Sequence, residues 1–246
     1  MCKASPGGGG PGLVYREDVV EAVLFDVDFT LSRPGPELGP EGYRRLGELH
    51  GLTLDPSLYA QARAAALADV PRHPELAHDE EVWILFTEQI VRGMGGTAGA
   101  ARACAADMVR EWERHDNFSL YEDTLPVLEE LRAAGLRIGL VSNGQRDLAE
   151  FVAHHGLGFA VDVAVGSRDH GVQKPHPSIF ETALAALGTA PARAAMVGDS
   201  PEDDVAGARG LGMRAFLLDR DGLHPDEPDR LPDLFALPAA LGLPRP

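Results

Sequence analysis

The chain has 246 residues, enough to bury the core of one medium domain together with a smaller one. Its formal net charge of -16 disfavours partners such as nucleic acid or acidic lipid, because their phosphates are repelled by an anionic surface. The chain has only two cysteines, Cys2 in the glycine-rich N-terminal stretch and Cys104 in an alanine-rich segment. This makes a disulfide framework or a cysteine zinc site implausible. No stretch of sequence has the apolar length of a signal peptide or a membrane span, so we expect a cytoplasmic protein, either a monomer or a homodimer.

The first part of the chain combines a tail, one strand and a helical insertion. Residues 1–14 are rich in glycine and predict a flexible tail. The apolar run VEAVLFD (20–26) predicts a buried strand. Four helical patterns follow without a convincing strand, at about 40–50, 55–69, 79–93 and 98–115. We interpret residues 34–118 as a small all-helical domain, joined to the rest by the loops 33–40 and 116–123.

The second part of the chain alternates short apolar runs with amphipathic segments. The apolar runs predict strands at 136–142, 160–165, 194–199 and 214–219. Helices are predicted between them at 126–135, 146–156, 176–188 and 202–212, several closed by a glycine. This repeating βα pattern indicates an α/β domain with a doubly wound parallel sheet, formed by residues 15–33 and 119–246.

Polar residues follow the predicted strands at the point where each strand ends. They are Asp26, Asp28 and Thr30 after the first strand, Ser142 and Asn143 after the second, Lys174 after the third, and Asp199, Asp203 and Asp204 after the fourth. Ligands of open parallel sheets bind outside these carboxyl ends. Grouped carboxylates repel one another unless a cation lies among them, and Mg²⁺ prefers such oxygen ligands. Lys174 would balance the remaining charge and hold a phosphate from the other side.

Four segments resemble, in content and order, the four sequence motifs of the haloacid dehalogenase (HAD) superfamily of hydrolases. They are DVDFT (26–30), SN (142–143), QKP (173–175) and GDSPEDD (198–204). The resemblance extends from about residue 20 to 220, and the helical insertion is similar to the helical cap of this family. It implies a Rossmann-like core with an inserted cap, and a magnesium-dependent phosphatase that hydrolyses a small phosphorylated metabolite through an aspartyl-phosphate.

The resemblance also implies a role for each residue of the motifs. Asp26 is the expected nucleophile and a metal ligand, and Asp28 is the expected acid and base, with its backbone carbonyl on the metal. Asp199 completes the metal site, while Thr30, Ser142, Asn143 and Lys174 are the expected contacts of the phosphoryl group. Either Asp203 or Asp204 supports Lys174 and the metal, and the spacing favours Asp204.

Other functions fit parts of the same pattern. A metal-free 2-haloacid dehalogenase would use the same fold and nucleophile, but dehalogenases of this superfamily lack a second aspartate at the position of Asp28. A receiver domain would need no large helical insertion. A catalytically silent relative that binds a phosphorylated ligand is favoured by Phe29, because the family most often has glycine there. Since both aspartates and Thr30 remain, we predict an active enzyme in which Phe29 lines the mouth of the site, where core meets cap.

Overall fold

A computed structural model describes residues 19–69 and 75–244, so the predicted tail at 1–14 lies outside the described residues. Its strands are β1 (Ala22–Phe25), β2 (Ser32–Pro34), β3 (Phe118–Leu120), β4 (Arg137–Ser142), β5 (Val163–Gly166), β6 (Ala194–Gly198), β7 (Arg214–Leu218) and β8 (Arg230–Leu231). Six of them form one parallel sheet in the order β5-β4-β1-β6-β7-β8. The sheet confirms the predicted fold class, and it contains one strand, β8, that the sequence analysis did not predict.

The first strand lies at the centre of this sheet because it is apolar on both faces. All four residues of β1 are fully buried. Val23 and Phe25 pack into the hydrophobic cluster on one side of the sheet, whereas Ala22 and Leu24 pack into the cluster on the other side. A strand that is covered on both faces is typical of a doubly wound sheet. β1 therefore delivers the residues that follow it, from Asp26 onward, to the middle of the sheet edge.

Ten α-helices surround the sheet or form the insertion in the described part of the chain. They are α1 (Pro40–Leu49), α2 (Tyr59–Ala68), α3 (Glu80–Gly93), α4 (Ala98–Glu113), α5 (Thr124–Ala133), α6 (Leu148–His154), α7 (Ser167–His170), α8 (Pro177–Leu187), α9 (Gly207–Gly210) and α10 (Leu237–Ala240). Buried side chains of α5, α6 and α10 cover one face of the sheet, and those of α8 and α9 cover the other. A π-helical turn, Pro201–Ala206, precedes α9. None of these helices is long and apolar enough to cross a bilayer.

The insertion is helical, as expected, and has a core of its own. Its four helices α1 to α4 pack around a separate cluster of buried side chains that includes Leu38, Tyr43, Ile90 and Met94. The loops on either side of it, which were predicted to be irregular, contain the short strands β2 and β3, which pair with each other antiparallel. Strands of three residues are too short to show an alternating pattern in the sequence. We call α1 to α4 the cap.

The segment that joins α2 to α3 contacts the core directly. His78 Nδ1 lies 2.9 Å from Ser167 Oγ, and the backbone N–H of His78 donates to the carbonyl of Gly171 at 2.9 Å. The backbone N–H of Gln173 donates to the carbonyl of Leu76 at 2.8 Å. Gln173 is the residue before Lys174, so this contact joins the cap to the segment that carries the predicted lysine.

Candidate active site

Three carboxylates and one ammonium group meet at the carboxyl ends of β1 and β6. Asp26 follows β1, Asp199 follows β6, and Asp204 lies in the π-helical turn; each offers an oxygen within 4.8 Å of the others. The Lys174 Nζ donates to Asp26 Oδ1 at 2.7 Å and to Asp204 Oδ1 at 2.6 Å. The Lys174 side chain is only 2% exposed, so the ion pairs are shielded from solvent. We call these four residues the carboxylate cluster.

The backbone of Lys174 is fixed by Asn143, the first residue after β4. The Asn143 Oδ1 accepts from the Lys174 N–H at 2.7 Å, and the Asn143 Nδ2 donates to the Lys174 carbonyl at 3.0 Å. This pair of bonds occupies both ends of the amide. Asn143 therefore positions Lys174, and its predicted contact with the phosphoryl group stays a prediction.

Asp204 reaches the cluster because Gly198 has no side chain. A Cβ atom at Gly198 would lie 2.1 Å from Asp204 Oδ2 and 2.2 Å from its Cγ, which is far too close. The same carboxylate accepts from the backbone N–H of Ser200 at 3.0 Å. The choice that the sequence left open is thus resolved for Lys174: Asp204, not Asp203, contacts its ammonium group.

The electrostatics of the cluster call for a further cation. Burial, followed by the charges of Asp26 and Asp204, raises the pKa of Asp199 well above its usual range. Burial and the charge of Asp26 likewise raise the pKa of Asp204, although Lys174 opposes this shift. Burial by itself lowers the pKa of Lys174, but Asp204 and Asp26 outweigh it and the pKa is raised. Three carboxylates and one ammonium leave two negative charges, and an all-oxygen donor set of this charge fits Mg²⁺.

Asp28 borders the same cavity as the cluster and is paired with Arg146, an arginine that the sequence analysis did not single out. Its Oδ1 accepts from Arg146 Nη2 and from Ser32 Oγ. The Arg146 guanidinium stacks on the rings of Phe118, at 3.7 Å, and Phe151, at 5.0 Å. Burial lowers the pKa of Arg146 to about 10, so it remains a cation at neutral pH. The predicted metal contact of Asp28 concerned its backbone carbonyl and stays a prediction.

The remaining predicted residues divide between the cavity wall and the interior. Ser142 and Phe29 line a cavity above the carboxylate cluster. Thr30 does not: it is fully buried and absent from the cavity lining, and its carbonyl accepts from Arg220 at 3.0 Å. The chain thus turns inward after Phe29 and directs the side chain of Thr30 into the interior, and the substrate contacts expected for Ser142 and Thr30 stay predictions.

The turn itself is set by Phe29, which has a left-handed backbone conformation with a φ of 64°. This region is unfavourable for a residue with a large side chain and favours glycine. The ring of Phe29 leaves the core and lies 6.4 Å from the ring of Trp112 in α4, measured between centroids. It thus bridges the loop that carries Asp28 and the cap.

Comparison with known proteins agrees with this geometry. A family model described as haloacid dehalogenase-like hydrolase matches residues 20–212, and the chain belongs to this family. The predicted family and class of enzyme are thereby confirmed.

Named relatives of the chain include phosphatases. The chain is 42% identical over 154 residues to a phosphoserine phosphatase of Thermus thermophilus, a match that spans 61% of this chain and 60% of that enzyme. It is 38% identical over 241 residues to Phosphatase MT3486 of Mycobacterium tuberculosis, spanning 90% and 97% of the two chains. The crystal structure of a HAD phosphatase from Thermococcus onnurineus has a TM-score of 0.63 and 28% identity, covering 92% of this chain and all of that one.

The close approach at Gly198 leads to a prediction about stability. Gly198→Ala is expected to lower the free energy of unfolding by about 1 to 3 kcal/mol, because the new methyl group overlaps the buried Asp204 carboxylate. Gly210→Ala, in the neighbouring helix, is the matched control, because nothing lies within 4 Å of its added Cβ. That change should be neutral or stabilise by up to about 1 kcal/mol. Urea unfolding of both variants tests this, and equal effects would contradict the packing described here.

The carboxylate cluster also predicts a specific response to metal. Adding MgCl₂ at about 100 times the dissociation constant should raise the melting temperature by roughly 5 to 10 °C, because an ion that binds the folded cluster and not the unfolded chain stabilises the folded state. Asp199→Asn should abolish most of this rise. Asp226→Asn, in an exposed loop, is the control and should keep it. A full shift in Asp199→Asn, measured by scanning calorimetry, would place the ion elsewhere.

Proposed function

We propose that the protein is a magnesium-dependent phosphatase that hydrolyses a small phosphorylated metabolite through an aspartyl-phosphate on Asp26. The observation that carries the proposal is the Asp26 carboxylate, which borders the cavity while Lys174 holds one of its oxygens at 2.7 Å. A carboxylate fixed in this way is oriented to act as a nucleophile. Relatives named as phosphatases support the same reaction class.

The reaction proceeds in two displacements at phosphorus. In the first, an oxygen of Asp26 attacks phosphorus, the bond to the leaving oxygen breaks, and Asp28 gives that oxygen a proton. In the second, water gives a proton to Asp28 and attacks phosphorus, and the bond to Asp26 breaks to release phosphate. Throughout, Lys174 contributes positive charge beside Asp26. Mg²⁺, which Asp26 and Asp199 would hold, would supply positive charge to the phosphoryl oxygens.

Asp28 must carry a proton in the first displacement and lack one before the second. The guanidinium of Arg146 pairs with the Asp28 carboxylate and orients it beside the cavity. Arg146 thus acts on the reaction by positioning Asp28, and it does not need to touch the phosphoryl group.

The hydrolase activity is tested with p-nitrophenyl phosphate. The wild type should release phosphate in the presence of MgCl₂ and lose this activity when EDTA removes the metal. Asp26→Asn should lower kcat by roughly a thousandfold or more, because it removes the nucleophile. Asp226→Asn serves as the control variant and should retain activity.

Two outcomes would contradict this function. Phosphate release by the wild type that does not exceed that of Asp26→Asn would favour the catalytically silent relative. Release of chloride from 2-chloropropionate without metal would favour the dehalogenase.

The pairing of Asp28 with Arg146 predicts an effect that depends on the leaving group. Arg146→Met should lower kcat for ethyl phosphate about tenfold or more, because an alkoxide needs a proton from Asp28. It should change kcat for p-nitrophenyl phosphate by less than about threefold, because nitrophenolate leaves without that proton. Arg146→Lys should recover part of the loss.

The control for this experiment is Arg110→Met, which removes an exposed arginine of the cap surface. It should change neither rate. An equal loss of kcat on both esters in Arg146→Met would show that Arg146 serves the fold alone.

A further inference from the structure

The cavity above the carboxylate cluster has two chemically different sides. It has a volume of about 470 Å³, a size typical of sites for small molecules. The core side is polar and includes Asp26, Ser142 and Lys174. The opposite side, which we call the ceiling, comes mainly from the cap. Since the phosphoryl group binds on the core side, the ceiling faces the leaving group.

The ceiling is aromatic. Six residues with aromatic rings line the cavity, including both tryptophans of the chain: Phe29, Tyr43, Tyr59, Trp83, Phe86 and Trp112. All except Tyr43 are only half-buried, so part of each ring remains uncovered by protein. Trp83 and Phe86 lie three residues apart on α3, a spacing that usually means packing against another element, but both line the cavity. Apolar surface left open inside a site is surface that a ligand can cover.

The rings hold one another in place. Trp83 and Phe86 meet edge to face, with centroids 6.4 Å apart and planes at 90°. Tyr43 and Tyr59 have centroids 5.3 Å apart. Such contacts between aromatic rings restrict their motion. A planar group that enters the cavity therefore meets walls that are already ordered and loses little binding energy in ordering them.

The ceiling also contains a positively charged side chain, that of Arg63. Arg63 of α2 lines the cavity, and its guanidinium lies 5.6 Å from the centroid of the Phe29 ring. Within residues 19–69 and 75–244, no carboxylate forms an ion pair with Arg63. In a chain with a net charge of -16, an arginine without a carboxylate partner beside a cavity is available to an anionic group of the ligand.

We propose that the substrate is a phosphate monoester whose leaving group carries an aromatic ring with an acidic substituent, the ring lying against the cap and the acid reaching Arg63. This inference rests on the phosphatase function proposed above and narrows its substrate class. The ring displaces water from the open aromatic surface, and the acid forms an ion pair that a neutral substituent cannot form.

The test compares esters whose alcohols have similar basicity, so that differences in rate report on contacts of the leaving group. With the full-length protein and MgCl₂, kcat/KM for benzyl phosphate should exceed that for ethyl phosphate by roughly tenfold or more. The value for 4-carboxybenzyl phosphate should exceed that for 4-carbamoylbenzyl phosphate by about fivefold or more. Arg63→Gln should remove this second difference.

Variants of the ceiling provide a further check. Trp83→Leu should lower kcat/KM for benzyl phosphate by a larger factor than for ethyl phosphate, because the lost ring contacts the aromatic leaving group. Phe159→Leu, which alters an exposed phenylalanine outside the cavity lining, is the matched control and should leave both values unchanged.

Binding can also be measured without turnover. Because both tryptophans line the cavity, benzylphosphonate should change the tryptophan fluorescence of the wild type and bind at least about tenfold more tightly than ethylphosphonate. Equal affinity for the two phosphonates would overturn the aromatic leaving group even in the absence of any catalysis.

The outcomes separate the two proposals. Equal kcat/KM for benzyl and ethyl phosphate, with both hydrolysed by the wild type and neither by Asp26→Asn, would overturn this inference and leave the phosphatase function standing. Equal kcat/KM for the carboxyl and carbamoyl esters would overturn the role of Arg63. Hydrolysis of none of these esters, together with tight binding of benzylphosphonate, would overturn the phosphatase function instead.

Discussion

The site depends on one buried ammonium group, that of Lys174, placed between the carboxylates of Asp26 and Asp204. Bringing these charges out of water is unfavourable, and their attraction compensates only when the geometry is good. The geometry requires the end of β1 for Asp26, the Asn143 amide for the backbone of Lys174, and the missing side chain of Gly198 for Asp204. The ends of β1, β4 and β6 must therefore all be in place before Lys174 has its two ion pairs and its backbone hydrogen bonds.

This arrangement also explains why the core and the cap contribute different chemistry. The core holds its charges with hydrogen bonds that leave little freedom for change. The cap has its own hydrophobic cluster, so its inner surface is free to vary without disturbing the sheet. Phe29 connects the two, because its loop belongs to the core while its ring contacts Trp112 of the cap. A change at this position alters the reacting loop and the leaving-group surface together.

Much of the fold and part of the site could be predicted from the sequence. The run VLF and its counterparts are apolar on both faces, which identifies buried parallel strands, and the rule that ligands bind at their carboxyl ends groups the aspartates with Lys174. Arg146 lies in the same loop as Ser142 and Asn143, three residues after the asparagine. Its position after a strand was a usable signal, but a cation at the start of a predicted helix is more often an exposed residue.

Other features depended on tertiary contacts that no local pattern records. The strands β2 and β3 pair across more than eighty residues of intervening sequence. Thr30 turns inward because Phe29 has a left-handed backbone, and the sequence shows only that a bulky residue stands where glycine was expected. The helical spacing of Trp83 and Phe86 predicts a shared face, but only the packing of the cap shows that this face borders a cavity.

The central position of the first strand has a consequence for synthesis. β1 pairs with β4 and β6, so its nearest partner begins at Arg137, more than a hundred residues later in the chain. At roughly 5 to 20 residues per second, a ribosome needs on the order of ten seconds to make that partner. During this interval the helices of the cap, whose contacts are local, emerge and can form. A cap that has already folded holds β2 and β3, the strands on either side of it, close together. This shortens the effective loop between β1 and β4 and so lowers the entropic cost of their pairing.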